Sequence, residues 1–493
     1  MNSQRNHLPV VIAITFAWCL IAGYMLIHGD RTISATVGAS EKPAASDDRL
    51  VGSYRFEQGG WTYVHLAGTP DQIGFQHGFL LAPEIEDALA AVKLEETHDT
   101  KRDWDFFRKA AHDMLWPHID AEYQQELSGI VEGAQARHVN IDIDDLVAMN
   151  AFMELPGYYV PWFNEKNKVA NAPHLTSPES CSAFVATGSW TKDHQIVIAH
   201  SNWTNYMYGE RWRVILDIAP QHGYRMIMDG YPGVIISDDD FGVNSGGLMV
   251  TETTMSGFKG WDPDGKPEFI RARKALQYAS SIDDYVKIMI EGNNGGYAND
   301  WLLGDRKTGE IAQFENGLHA NRVWKSKDGV FVGSNFVSDP EIRKMDTTWN
   351  NDDLKASPNA RHIRLDEMMK ESKGKIDIDL AEKVLADHYD TYLKKEGPTG
   401  RTLCGHIDLD PAGVKAWQNA PFDTWGAVQG QAMDSHMAEQ MSFVVRAGHP
   451  CGGNFNAAEY LKAHPEYSWE KPALRDMNAG PWTTFHAGET AAK

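Results

Sequence analysis

Apolar positions recur at helical spacing in the first third of the chain and at strand spacing after it. Residues Pro70–Lys93, which open on a Thr-Pro start, Trp104–Trp116 and Ala121–Arg137 set apolar side chains three and four apart, predicting amphipathic helices. Asp142–Leu155 adds a fourth, with Asp-Ile-Asp-Asp at its front to cap the free N–H groups. Trp104, Phe106, Phe107 and Trp116 fall on the spacing of a core stripe. From Gly157 to Ser180 the pattern lapses among Pro161, Asn164, Asn167, Asn171, Pro173 and Pro178, predicting a linker. Beyond it, short apolar runs predict strands: Phe184–Ala186, Ile196–Ala199, Val214–Leu216, Arg225–Met228, Val234–Ile236 and Leu248–Thr251. Arg271–Glu291 reads as helix again. Strands at Gly329–Val332 and Val428–Met433 then surround helices at Ala360–Lys370 and Leu380–His388. No internal repeat is present.

Charge narrows the partners. Of 493 residues, 68 are acidic and 46 basic, a net −22, and no basic stretch interrupts the balance. Phosphate binding relies on clustered Lys and Arg, so nucleic acid is excluded as a partner. The same charge repels an anionic membrane surface, and a lipid substrate would have to be gripped by apolar contacts or local arginines. Leu8–Ile27 carries no charged side chain, lies between Arg5 and Asp30-Arg31, and is long enough to span a bilayer. It is read as an uncleaved signal anchor with the body outside the cytoplasm; cleavage of this segment would make the protein secreted. The expected organisation is a tip at 1–7, the anchor at 8–27, a flexible tether at 28–53, a helix-rich part at 54–180 and a catalytic part at 181–493.

Four cysteines divide by context: Cys19 lies in the apolar run, and Cys181 opens the first strand after the linker. Cys404 and Cys451 are open to two readings. In an oxidising compartment they pair as a disulfide; alternatively Cys404-Gly405-His406 is half of a zinc site that lacks a second closely spaced ligand pair. No metal is assigned. Asp238-Asp239-Asp240 reads as a solvated turn, since three consecutive carboxylates cannot converge on one cation.

A set of ordered segments goes further. Cys181-Ser182-Ala183; Ala199-His200 with Trp203; Tyr231-Pro232-Gly233 with Ser237–Phe241; Gly247-Leu248 with Glu252-Thr253-Thr254; and Tyr297-Ala298-Asn299-Asp300-Trp301 together resemble the phospholipase B-like proteins. More distantly the chain is similar to penicillin acyltransferase-type peptidases, through Arg361–Arg364, Thr402–His406, Met433-Asp434 and Gly448–Cys451. Both families are N-terminal nucleophile hydrolases. The resemblance implies an α+β fold, a four-layer αββα sandwich, and self-cleavage between Ser180 and Cys181. It also implies Asn299 as side-chain donor to the oxyanion, a backbone N–H near Thr253 as second donor, and Arg361 beside the nucleophile. Where acyltransferase-type relatives carry Asn-Trp-Asp this chain has Asn202-Trp203-Thr204, so the carboxylate that orients the α-amine is absent and a Thr204 hydroxyl stands in its place.

The chemistry follows from an N-terminal cysteine. Its thiolate is a strong nucleophile, and the freed α-amine, with an ordinary pKa of about 7.7–8.0, serves as local base without a cofactor. The expected function is a self-processing cysteine hydrolase acting on a lipid or small-molecule acyl ester or amide, its two fragments staying together. An amidase or acyltransferase on a small N-acyl compound is the nearest alternative. A papain-like pairing of Cys181 with His406 and a non-catalytic lipid or carbohydrate binder using the chain's tryptophans are the rivals from other classes.

Overall fold

The computed structural model describes residues 47–173, 175, 181–237, 241–411 and 420–490. Strands in chain order are β1 (Tyr54–Gln58), β2 (Trp61–Gly68), β3 (Cys181–Thr187), β4 (Val197–Asn205), β5 (Val214–Pro220) and β6 (Met226–Gly230). They continue with β7 (Gly242–Asn244), β8 (Leu248–Thr254), β9 (Asn299–Asp305), β10 (Glu310–Asn316), β11 (Asn321–Ser326) and β12 (Gly329–Gly333). The last are a two-residue pair, β13 (Tyr389–Asp390) and β14 (Lys395–Glu396), then β15 (Trp425–Asp434), β16 (Ser442–Ala447) and β17 (Thr483–His486). Nine strands form one sheet in the order β1-β2-β5-β6-β7-β8-β9-β10-β11, and six form another in the order β12-β3-β4-β15-β16-β17. The mixed α+β class is as expected.

Strand alternation decides where the core sits. Ala183 and Val185 of β3, Ile215 of β5, Met249 of β8 and Leu302 of β9 share one apolar cluster drawn from both sheets. Their neighbours Phe184 and Ala186 join Leu365, Met369 and Val384 of the helices Ser357–Glu371 and Ile378–Leu385. Leu216, Val250 and Leu303 join the helices of the first third of the chain. Two of those helices, Pro70–Leu80 and Ala121–Ala136, meet at backbone distance. A Cβ on Gly74 would lie 1.9 Å from the Glu126 carbonyl oxygen, and one on Gly78 would lie 2.0 Å from that of Ile130. Thr69 starts the first of this pair with a reciprocal capping box to Gln72.

Several elements differ from expectation, each for a local reason. The stretch Pro70–Lys93 is two helices, Pro70–Leu80 and Ala82–Thr100, because Pro83 sits in the first turn of the second and lacks the N–H that would continue the first. Arg271–Glu291 likewise divides into Glu268–Tyr278 and Ile282–Ile290, with Ser281 capping the latter. The expected linker begins as helix: Leu155–Tyr159 forms a π-helical turn and Val160–Lys166 an α-helix, Pro161 being tolerated in its first turn. Val234–Ile236 is buried but is not a strand; its Ile235 N–H is taken by the Asn150 side chain at 3.0 Å. β1 and β2 lie in the part read as helix-rich, and β2 runs parallel to β5, from Thr62 opposite Val214 to Gly68 opposite Pro220. Among the described residues no helix is long and apolar enough to cross a membrane, and Leu8–Ile27 lies outside them.

Candidate active site

Cys181 is the first residue of β3, opposite Asn202 of β4, on the alternation that carries Ala183 and Val185 between the sheets. Its Sγ lies 3.8 Å from Glu252 Oε1. That oxygen also accepts the Tyr297 hydroxyl at 3.0 Å. His200 of β4 completes the group: thiol sulfur, one ring nitrogen and one carboxylate oxygen all lie within 4.8 Å of one another. His200 Nδ1 is 3.3 Å from Gln431 Oε1, whose amide nitrogen in turn donates to Asp229 at 2.7 Å. All three side chains are buried. A thiol set against a carboxylate and an imidazole has a proton acceptor at hand, which is what a nucleophilic sulfur requires.

The backbone of Cys181 is held as closely as its side chain. Its nitrogen donates to Asn335 Oδ1 at 3.1 Å, and Asn335 Nδ2 donates to the Thr254 carbonyl at 2.8 Å. Asn335 has φ +64°, a left-handed conformation that asparagine adopts more readily than most side chains. Arg361 binds the same corner from the helix Ser357–Glu371. Its Nη1 donates to the Cys181 carbonyl and, at 2.9 Å, to Ser182 Oγ; Nη2 donates to Asn335 Oδ1 at 2.7 Å and Nε to Ser357 Oγ at 2.9 Å. The guanidinium sits 4.5 Å above the ring of fully buried Trp203. Arg361 is wholly buried, which settles its character: it is not a surface ion pair. Arg364, three residues on, turns instead to Asp387, at 2.6 Å.

Asn299 opens β9 opposite Thr254, the residue whose carbonyl anchors Asn335. It is 1% exposed, yet neither atom of its amide has a hydrogen-bond partner among the described residues. Leaving such a group unpaired costs about 1–3 kcal/mol, so an oxygen delivered by a ligand would be bound at a gain. Its neighbour Asp300 has its carboxyl pushed well above the usual range by burial and by the nearby Glu315 charge, and accepts from Gln313 at 2.8 Å. Thr253, opposite Asp300, faces the other sheet: a Cβ on Gly333 of β12 would lie 2.7 Å from its hydroxyl oxygen, so only glycine permits this approach. Thr204 is buried on β4 opposite Gly426, two residues past the one that faces Cys181.

Sequence reasoning therefore named Cys181 and Arg361 at one corner and Asn299 and Thr253 on the adjoining strands, but missed Asn335, His200 and Glu252 as functional groups. Glu252 and His200 lay inside quoted motifs without a role. Asn335 carried no signal, being a single asparagine just past a short strand. Ser180 and Asp238–Asp240 lie outside the described residues. His406, the rival partner for Cys181, faces Cys404, Cys451 and His388 instead. Trp61, Trp203, Trp212 and Trp301 are fully buried and offer no binding platform.

Comparison with known proteins bears on this corner. The model of the Phospholipase B family matches residues 91–329, a span that holds Cys181, His200, Thr204, Glu252, Thr253 and Asn299. Over that span the chain is similar to the phospholipase B-like proteins. Arg361 and Asn335 fall beyond it. The relatives agree: "Putative phospholipase B-like 3" of Caenorhabditis elegans is 26% identical over 40% of this chain and 35% of its own length. "Putative phospholipase B-like 2" of Homo sapiens is 31% identical over 29% of this chain and 26% of its own. An uncharacterized protein of Archaeoglobus fulgidus is 23% identical over 50% of this chain and 41% of its own. The chain thus matches well under half the length of these relatives.

Proposed function

We propose that the protein is a self-processing cysteine hydrolase of phospholipase B-like kind, acting on an acyl ester or amide through a thioester at Cys181, on a four-layer N-terminal nucleophile scaffold. The observation that carries this reading is the double hold on Cys181, its sulfur beside Glu252 and His200 and its nitrogen on Asn335. In the uncut chain the thiol proton passes to the Glu252 carboxylate, sulfur attacks the Ser180 carbonyl carbon, and the Ser180–Cys181 C–N bond breaks as the nitrogen takes up a proton. Water then hydrolyses the thioester, releasing the Ser180 carboxylate and the thiol. The new α-amine inherits Asn335 as acceptor, in the role the missing carboxylate at Thr204 would have filled. In turnover that amine, or a water held by it, takes the thiol proton, and the Asn299 amide stabilises the oxyanion with a backbone N–H near Thr253. Arg361 fixes the Cys181 carbonyl so that the sulfur keeps its aim.

The phospholipase B-like relatives favour a lipid acyl substrate, which against a net charge of −22 would be held by apolar contacts or local arginines. We place the body outside the cytoplasm, tethered through Leu8–Ile27. The test is the N-terminal sequence and mass of each polypeptide in purified protein. Two associated chains, one beginning at Cys181, support the reading; a single intact chain with esterase or amidase activity sinks the self-processing step and leaves a Cys–His pair with His200 as the mechanism.

A further inference from the structure

A second cluster of nucleophilic and ligating side chains lies away from Cys181. His388, Cys404, His406 and Cys451 each present one ligand atom, and all four atoms lie within 4.8 Å of one another. His406 Nε2 is 3.5 Å from Cys404 Sγ and 3.6 Å from Cys451 Sγ. A tetrahedral ion with bonds of about 2.3 Å to sulfur and about 2.0–2.1 Å to nitrogen sets its ligands roughly 3.4–3.8 Å apart, so these separations need little adjustment. Cys404 and His406 are buried, and both cysteines are free thiols.

The surroundings suit a metal. His388 Nε2 is buried without a hydrogen-bond partner among the described residues. Behind His406, the Asp408 carboxylate lies 4.0 Å from Nδ1, on the side of the ring away from the sulfurs, and Asp408 is itself held by the Tyr206 hydroxyl at 2.6 Å. At 4.0 Å the carboxylate makes no hydrogen bond to the ring but sets a negative charge behind it, which favours a ligating imidazole. The Gly453 N–H donates to Cys451 Sγ at 3.4 Å, as suits a sulfur carrying negative charge.

We propose that His388, Cys404, His406 and Cys451 form a closed, tetrahedral structural zinc site. A two-sulfur, two-nitrogen set with no open position fits zinc and leaves no place for substrate. The site clamps the segment 387–410 to the turn at 448–453, and so backs Trp203: Cys404 and Cys451 pack in the cluster that holds this ring, and a Cβ on Gly405 would lie 1.9 Å from it. Trp203 is in turn the floor beneath Arg361.

The competing state is a Cys404–Cys451 disulfide. Full-length protein purified without chelator would be assayed for metals by mass spectrometry, for thiols with a chromogenic disulfide under denaturing conditions, and for intact mass. One zinc per chain with Cys404 and Cys451 reactive in addition to Cys19 and Cys181 is expected, and replacement by cobalt should give the visible spectrum of tetrahedral sulfur-ligated cobalt. His388→Gln, a half-buried ligand whose loss spares the packing, should lower zinc affinity by at least about tenfold and weaken the sulfur-to-cobalt band. A mass two hydrogens lower with no metal would overturn the site in favour of the disulfide. Metal-free protein whose two thiols react and which takes up no zinc on dialysis would overturn it outright, as would wild-type zinc affinity in both His388→Gln and Cys451→Ser.

Discussion

Asn335→Ala tests the corner at its least expected residue. The substitution removes two neutral hydrogen bonds, to Cys181 N and Thr254 O, and one to the Arg361 guanidinium. Neutral bonds contribute about 0.5–1.5 kcal/mol each and one to a charged donor about 1.5–3 kcal/mol. Alanine must also adopt φ +64°, which costs about 1–2 kcal/mol more than for asparagine or glycine. The total is about 4–8 kcal/mol, before any water enters the gap, against a whole-domain stability of about 5–15 kcal/mol. Urea unfolding is the assay, run in a Cys181→Ala background so that every sample is one uncut chain; Cys181 N is unaffected by that change. Asn335→Gly should recover about 1 kcal/mol of the loss, separating backbone strain from lost bonds, and Asn335→Asp, which keeps the acceptor and the φ but turns a carboxylate oxygen on the Thr254 carbonyl, isolates the cost of that one bond. With Cys181 restored, Asn335→Ala should also slow self-cleavage on a denaturing gel. An Asn335→Ala protein within 1 kcal/mol of its parent that cleaves at the parental rate would refute the assignment.

Four further outcomes are expected. Cys181→Ala should remain one uncut, inactive chain, and efficient cleavage at the same bond would remove the nucleophile. Asn299→Ala should lower kcat by about a hundredfold or more with KM little changed, since the amide acts on charge formed in the transition state; an unchanged kcat in matured protein would make it a structural residue. Asn335→Asp, by setting a carboxylate on the α-amine, should move the acid limb of kcat/KM up by about one pH unit, whereas His200→Gln, which removes the imidazole beside Cys181, should leave that limb in place; the reverse pattern would point to imidazole catalysis. Finally, burial pushes Glu470 up to about 8 and Glu315 up to about 7, from an ordinary 4.5, so the folded protein holds protons that the unfolded chain has released. Stability from these groups is full below 4.5 and is lost as pH rises through 7 to 8. Buried His77, held down to about 3 from 6.5, no longer opposes the slope above its unfolded value. The urea midpoint should therefore fall from pH 6.5 to 8, and Glu470→Gln should flatten the fall; an unchanged slope in that variant would discount Glu470.

What was legible in the sequence was what repeats along it. Amphipathic periodicity found the helices at Ala121–Ala136 and Ser357–Glu371, and uninterrupted apolar runs found β3, β4, β5 and β8. Breaks within one continuous apolar pattern were not visible, because Pro83 and Ser281 end a helix without ending its periodicity. β1 and β2 were missed for the opposite reason: Tyr54–Gln58 is short and polar at its end, Trp61–Gly68 breaks its apolar residues at Thr62 and His65, and the two become strands by pairing with each other and with β5. At the site, the ordered motifs of the resemblance reached Cys181 and Asn299, each of which opens a strand. It could not reach Asn335, whose value lies in a conformation and three partners supplied from elsewhere in the chain. Of the proposed zinc set, sequence reading offered only the Cys404-Gly405-His406 half, since His388 and Cys451 flank that pair at distances no spacing rule covers.

The parallel pairing of β2 with β5 straddles the bond before Cys181, with one strand encoded on each side of it. A cut there would turn a one-chain folding problem into a two-chain one. Once separated by denaturant, the halves would have to find each other by diffusion, so recovery would depend on protein concentration where the uncut chain's would not. Unfolding of the matured form would then be reversible only at high concentration, and at cellular dilution effectively a one-way step. An enzyme built this way is assembled once, as a single polypeptide, and its working life is set by how slowly that shared sheet opens.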